Sequence, residues 1–412
     1  LSDRGARLLV TALVVGVAYY AGAWVGFTTT FPAAPGSARR HIFWPPNVIL
    51  LAALLVTPPR WWWSPGLTAF AAHLLAHAQL GGVSLALMLV QFAGNALQAG
   101  LAALALRRLS DPPWRVDTLR SMIAVITVAG IAAPALASAG TAYAYVLAGW
   151  APDYASAWGL RFLANATSTI TLAPLLLPVA GQELRGRRDV APWRAVEFVA
   201  VLVGLLVGGA LVSRAATSAA QLPLLYAPLP LVLWAAVRFG PPGVSIALTA
   251  TLLLFVGQIV SGPSVTPVPV DNAIALVAFL VAIAVPLLLL AALVEERRQT
   301  EDSLRRVQAD LTHAARVTTM GQLVASIAHE INQPLAAIVT NAKTSLRRIA
   351  AGSLDTQELR EVLQDVADDG KRASEVIQQI RRLVKKSPAQ TAPLKLNAAI
   401  QEVIALALGE LM

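Results

Sequence analysis

Ala284-Val-Pro-Leu-Leu-Leu-Leu-Ala-Ala-Leu-Val294-Glu295-Glu-Arg-Arg-Gln-Thr-Glu-Asp302 changes character in one step. Residues 284–294 carry no charge, whereas six of the next eight are Asp, Glu or Arg. Beyond them Leu304, Val307, Leu311 and Ala314 recur at steps of three and four, the period of a helix with one apolar stripe. The stretch reads as one helix that leaves a bilayer and enters a coiled coil, with the connector over residues 295–318. Such a helix can carry a rotation or a shift from one side of the junction to the other. His313 on the connector has no acidic neighbours and reads as a surface residue.

Everything before the junction is apolar. The 412 residues are 56% hydrophobic and only 13% charged, which excludes an ordinary soluble domain. Segments able to cross a bilayer are drawn at about 7–27, 43–58, 62–79, 83–106, 119–148, 156–181, 194–213, 222–238, 242–260 and 271–294. That predicts about ten crossings; because the second, third and eighth segments are short, eight crossings with re-entrant pieces is the alternative. Residues 1–294 hold 16 Arg, no Lys and 8 acids, while residues 295–412 hold 16 basic residues against 15 acids. The net charge of +9 is thus a topology signal of the membrane half and not a nucleic-acid footprint. With ten crossings, Arg4, Arg7, Arg60, Arg107, Arg108, Arg115, Arg120, Arg185, Arg187, Arg188, Arg194, Arg238, Arg297 and Arg298 share one side, and only Arg39, Arg40 and Arg214 fall on the other. The positive-inside rule then places both termini in the cytoplasm. No cysteine is present, so disulfides and thiolate chemistry are excluded. The first apolar run lacks a small-residue cleavage site and is expected to stay as an anchor. Leu1 is not an initiator methionine, and a helical pattern runs to Met412, so a fragment is expected at both ends.

Polar residues inside spans point to an interior site. An arginine such as Arg161 costs about 2.5–3.5 kcal/mol at a span centre unless it lines a cavity or snorkels. Asn95, Gln98, Arg161, Asn165 and Arg238 are the candidate ligand-binding residues, with interhelical hydrogen bonding as their plainer role. His73 and His77, four apart on one helical face, are a candidate metal pair without an evident third ligand. Trp24, Trp44, Trp61 to Trp63, Trp114, Trp150, Trp158, Trp193 and Trp234 lie mostly near span ends, as an aromatic belt does. Pro134, Pro174, Pro228, Pro230 and Pro286 fall within spans, where neighbours can satisfy the carbonyls they free. Four short patterns occur in order: Trp44-Pro-Pro-Asn47, Gly94-Asn-Ala-Leu-Gln98, the stretch from Asn165 to Pro174, and Val237-Arg-Phe-Gly-Pro241. Together they resemble the MASE type of membrane-associated sensor domain over about residues 8–295. The resemblance implies a sensor domain, taken here as residues 1–294, for a stimulus it does not name.

After the junction, Val324, Ile327, Ile331, Leu335 and Ile338 form one apolar stripe. His329 falls two residues from both Ile327 and Ile331, hence off that stripe, and Gln333 shares its outward face. Ala325, Ala328, Ala336 and Ala337 leave room for another domain to approach the imidazole. Glu330 is placed to hold one ring nitrogen protonated and leave the other nucleophilic. The helix is expected to stop near Ala351-Gly352-Ser353. A second stripe, Leu359, Val362, Val366, Gly370, Ala373, Ile377, Ile380 and Val384, runs up to Ser387-Pro388. Two antiparallel helices with one apolar face each make half of a four-helix bundle, so a homodimer is expected.

The run His329-Glu-Ile-Asn-Gln-Pro-Leu335 resembles the H box of sensor histidine kinases, in the branch of the dicarboxylate-sensing and oxygen-sensing kinases. The resemblance implies that residues 319–388 are a dimerisation and phosphoacceptor domain, that His329 takes the γ-phosphoryl of ATP, and that Glu330 is its general base. His329 then passes the group to an aspartate on a response-regulator receiver domain. Gln333 stands where many members carry Thr or Asn to position water for dephosphorylating the regulator, a departure at that position. Pro334 matches the family proline that weakens and bends the helix.

Residues 389–412 resemble the entry to the ATP-binding domain of these kinases, without its phosphate-binding segments. ATP and Mg²⁺ are therefore expected on a domain outside residues 1–412, which alone should bind neither and should not autophosphorylate. The resulting expectation is an all-α chain: a polytopic membrane bundle followed by a cytoplasmic helical hairpin, functioning as a sensor histidine kinase. Two other readings are a phosphoacceptor adaptor phosphorylated in trans and a transporter with a regulatory helical tail. The second lacks an evident inverted repeat.

Overall fold

The computed structural model describes residues 3–31, 40–81, 84–109, 116–180, 192–214, 226–261, 270–351, 355–384, 396, 397, 400 and 401. Arg39, Arg115, Arg185, Arg187, Arg188, Trp114, the helix stop at Gly352-Ser353 and most of residues 389–412 lie outside the described residues. The chain divides into two units, Leu1–Thr300 and Glu301–Met412.

The first unit is helical except for one short hairpin. Helix α1 (Asp3–Thr28) is followed by β1 (Thr30–Phe31) and β2 (Arg40–His41), which pair antiparallel with Thr30 opposite His41. Then come α2 (Pro46–Val56), α3 (Trp63–Ala76) continued by a π-helical turn over His77–Gly81, and α4 (Leu85–Leu109). Helix α5 (Leu119–Ala124) runs through π-helical turns over Val125–Ala132 into α6 (Ala133–Leu147). Helices α7 (Tyr154–Ala180), α8 (Pro192–Arg214), α9 (Leu229–Ser261) and the first part of α10 (Val270–Ala350) complete the unit.

Its polarity is that of a membrane protein. The outer faces are apolar: Leu9, Leu13 and Val17 on α1, and Val196, Val199, Val203 and Val207 on α8, are exposed. The interior holds a large apolar cluster but also buried Asn47, His73, His77, Asn95, Gln98, Thr141, Asn165, Ser168 and Ser245. A soluble protein reverses this arrangement, because water and not lipid meets its outer face.

Among the described residues, seven helices are long and apolar enough to cross a membrane, and Pro46–Val56 is a shorter apolar helix. Of the ten segments drawn from the sequence, the second and third fall on the shorter helices α2 and α3. Helix α2 has 11 residues and rises about 16 Å, half of a bilayer core. The buried residues Ile42 to Pro45 lead into it without helix, so this segment is part extended and part helical. Arg107 supports its free end by donating to the carbonyls of Leu54, Leu55 and Thr57 at 2.7–3.0 Å. The eighth and ninth segments share α9, which breaks at Gly240, where φ is 68° and ψ is −167°. Pro241 and Pro242 open the next helical stretch, for which their fixed φ is suited. The chain folds back there: a Cβ on Gly243 would lie 3.7 Å from the Ala235 carbonyl, which a straight helix holds about 12 Å away.

The exit of α10 from this unit is held on several sides. Glu296 accepts from the Leu119 amide at 2.8 Å, Gln299 donates to Asp117 at 2.7 Å and Arg298 donates to the Val237 carbonyl at 2.7 Å. Beside them Arg238 pairs with Glu197 at 3.0 Å and stacks on Trp193.

In the second unit α10 continues to Ala350, and α11 (Thr356–Val384) follows. Arg348 of α10 pairs with Glu358 of α11 at 2.7 Å. Leu359, Val362 and Val366 of α11 are half-buried and Ala373 is buried, whereas Gly370 and Ile377 of the same stripe are exposed. Leu304, Val307 and Leu311 on α10 are exposed.

Candidate functional site

Two sites emerge, one in each unit. In the second, His329, Glu330 and Gln333 are exposed on α10, and Pro334 is half-buried. The Gln333 amide nitrogen donates to Nε2 of His329 at 3.0 Å. Residues four apart stack along a helix face, whereas adjacent residues diverge by about 100°. Hence Gln333, and not Glu330, touches the ring. With Nε2 accepting, that nitrogen holds the lone pair and Nδ1 carries the proton. Pro334 has no N–H and frees the Glu330 carbonyl, yet α10 is helical on both sides of it.

The first unit holds a partly open cavity of about 120 Å³ bounded by α4, α6, α7 and the segment from His41 to Trp44. Asn95, Arg161 and Asn165 line it, as do His77, Gln91, Tyr145 and Trp150. Arg161 donates to Asn95 Oδ1 at 2.9 Å, to the Tyr145 hydroxyl at 3.2 Å and to the Gln91 carbonyl at 3.4 Å. Gly94 makes room for it, since a Cβ there would fall on the Thr141 hydroxyl and 3.2 Å from Arg161 Nη2. Gln98 stands one layer away: Asn47 Nδ2 donates both to Gln98 Oε1 at 2.7 Å and to Asn165 Oδ1 at 3.2 Å. Four of the five residues expected to bind a ligand thus belong to one polar system. Arg238 does not; it lies in the Glu197 pair at the exit of α10. Asp153 caps α7 beside this cavity, and the Ser156 amide it accepts holds its carboxyl below the usual carboxylate range.

His73 and His77 are buried with ring centroids 3.9 Å apart. His73 Nε2 donates to the Met88 carbonyl at 3.1 Å, leaving Nδ1 to accept from the Tyr19 hydroxyl at 3.4 Å; His77 Nδ1 meets the His73 carbonyl at 3.0 Å. Both nitrogens of His73 are therefore taken, and among the described residues no group of three His, Asp or Glu side chains is placed to hold a metal. In the structure the pair serves as a hydrogen-bonded contact between helices. It joins a relay, because Asn95 donates to Tyr19 at 3.1 Å and accepts from Arg161.

Sequence reading missed Trp44, Tyr145 and Trp150 as cavity walls by assigning tryptophans to the membrane belt. Trp44 packs at 4.8–5.8 Å on His41, Phe27 and His77. Its place in Trp44-Pro-Pro-Asn47, beside an asparagine that reaches Gln98 and Asn165, was the available signal.

The MASE1 family model matches residues 11–298, and the model of the His Kinase A (phospho-acceptor) domain matches residues 319–388. The chain is similar to the sensor histidine kinase TmoS of Ectopseudomonas mendocina, 35% identical over 109 residues, 26% of this chain and 11% of TmoS. It is 36% identical over 116 residues to the sensor protein FixL of Bradyrhizobium diazoefficiens, 28% of this chain and 23% of FixL. To the C4-dicarboxylate transport sensor protein DctB of Rhizobium meliloti it is 31% identical over 116 residues, 27% of this chain and 18% of DctB. The chain thus spans less than a quarter of the length of each of these relatives. No solved structure matches it.

Proposed function

The chain belongs to the MASE1 family, and from that premise we propose that it works as a membrane-bound sensor histidine kinase of a two-component phosphorelay. The observation that carries this reading is His329: exposed, inside the phosphoacceptor match, with its Nε2 lone pair held by Gln333, on the helix that also forms the last apolar span.

The Gln333 amide first turns away from Nε2. Nε2 then attacks the γ-phosphorus of ATP, the bond to the bridging oxygen breaks, and ADP leaves with that electron pair. Glu330, as general base, must turn toward the ring to take the Nδ1 proton, leaving a phosphohistidine whose imidazole ring is neutral and whose phosphoryl group carries the negative charge. An aspartate of a response-regulator receiver domain takes the phosphoryl group, and His329 regains a proton. We assign ATP and Mg²⁺, which neutralises phosphate charge, to a catalytic domain acting in cis or in trans. Exposed Leu304, Val307 and Leu311 at helical spacing support pairing of two copies along α10.

We further place both termini in the cytoplasm of a bacterium, with the membrane unit in the inner membrane. Arg107 in the last turn of α4, and Arg238 and Arg298 beside the exit of α10, support this as arginines at the ends of apolar helices. The cavity lies about 18 Å further along α4, twelve residues from Arg107 to Asn95 by helical rise, and so toward the opposite face.

Supplying a histidine-kinase ATP-binding domain and radiolabelled ATP to the full chain tests the reading. Acid-labile label on the wild type that disappears in His329→Ala is expected. No label, or label that survives His329→Ala, overturns it.

A further inference from the structure

We propose that the cavity of the membrane unit is the receptor site for a small monocarboxylate with an apolar body, of the size of benzoate. The inference deepens the sensor reading and rests on it for the meaning of the site, though binding itself does not depend on phosphoryl transfer.

The charge of the ligand follows from what lines the cavity. Arg161 is the one cationic Arg or Lys among the lining residues, and no Asp or Glu is among them. Its guanidinium meets neutral partners, the Asn95 and Tyr145 side chains and the Gln91 carbonyl, while its Nε has no hydrogen-bond partner among the described residues. Trp44 Nε1 and Asn165 Nδ2 are also without partners among the described residues, and these side chains are only 6% and 2% exposed. Three unsatisfied N–H donors around one interior cation, against a single unsatisfied acceptor among the lining residues, Gln91 Oε1, call for a ligand whose polar end is an acceptor that bears negative charge, since unpaired buried donors are costly and charge-assisted bonds are the stronger ones. One arginine balances one charge; a dianion would bring a second into a low-dielectric site without a partner.

The body of the ligand follows from the walls. Trp44, His77, Tyr145 and Trp150 supply aromatic surface, and Ala157, Leu160 and Ala164 supply aliphatic surface. A simple inorganic anion would leave these faces unused. A zwitterion would need an acidic partner for its ammonium, and none lines the cavity. The volume of about 120 Å³ is near that of an apolar cavity which accepts benzene, about 150 Å³. A carboxylate on Arg161, Trp44 and Asn165 with a ring-sized body against Tyr145 and Trp150 satisfies both requirements.

The test is equilibrium binding of radiolabelled benzoate to the full chain in lipid nanodiscs, without nucleotide. Saturable binding is expected, with neither benzamide nor nitrate competing and succinate at least about tenfold weaker than unlabelled benzoate. Arg161→Gln should weaken binding by about tenfold or more, and Arg161→Lys should recover part of it. Ala157→Leu, which fills the wall without altering charge, should also abolish binding while the thermal transition is retained; it decides the matter if Arg161→Gln does not fold. Absence of saturable benzoate binding to folded wild type, competition by benzamide or nitrate equal to benzoate, or unchanged binding in folded Ala157→Leu would each overturn the proposal. His329→Ala should bind benzoate as the wild type does, so failure here is separate from failure of the phosphoacceptor reading.

Discussion

Gly240 holds a backbone conformation, φ 68° and ψ −167°, that side-chain-bearing residues essentially do not adopt. It also passes under Glu295, whose Oε2 would lie 3.5 Å from an added Cβ. Gly240→Ala should therefore destabilise the membrane unit by about 1–3 kcal/mol, read as a shift of the unfolding midpoint in mixed micelles. Gln333 is a different case, because its contact with His329 is exposed and uses the lone pair that the proposed chemistry needs. Removing one solvent-exposed hydrogen bond is worth about 0.5–1.5 kcal/mol. Gln333→Ala should keep phosphorylation of His329 and raise its initial rate by no more than about tenfold; a loss of labelling would show that the amide assists the transfer. The spacing of His329 and Gln333 on one face was legible in the sequence. Which of its neighbours the ring actually touches depended on side-chain geometry along the helix.

At the scale of elements, α10 and α9 treat proline differently. In α9 the break at Gly240 comes first, and Pro241 and Pro242 begin a new helical stretch. In α10 Pro334 sits among helical residues with the Glu330 carbonyl left unbonded by its missing N–H. Pro334→Ala restores that bond and removes a residue about 3 kcal/mol worse than Ala in a helix interior. Amide exchange over residues 330–338 should slow as a result. If the soft point serves to present His329, phosphorylation should fall in the same variant; unchanged exchange would show that Pro334 does not weaken α10. The aromatic and polar residues around the cavity are brought together from the segment His41 to Trp44, the turn at His77, α4, α6 and α7, which no local pattern connects. Sequence periodicity reports which face of a helix is apolar, but not which neighbour that face meets.

For the whole molecule, the absence of native cysteine allows single-cysteine probes. With the proposed sidedness, Asp153→Cys beside the cavity should react in intact cells with a membrane-impermeant maleimide, and Arg60→Cys should react only after lysis. The reverse result would invert the topology. Leu311→Cys, on the exposed stripe of α10, should crosslink two copies under mild oxidation, whereas a monomer would not. The sequence by itself determined the all-helical membrane class, the junction near Val294, and the candidacy of His329, Asn95, Arg161 and Asn165. These rest on composition, period and local spacing, which fold into helices much as written. Only the tertiary structure decided that α2 is half a crossing, that Arg238 leaves the polar group for Glu197, that His73 and His77 bond to carbonyls and Tyr19, and that Trp44 and Trp150 wall a cavity. Each of those outcomes depends on which buried polar group meets which partner across tens of residues. Buried polar groups pair with whatever the packing of the helices brings to them, and the order of residues along the chain does not specify that packing.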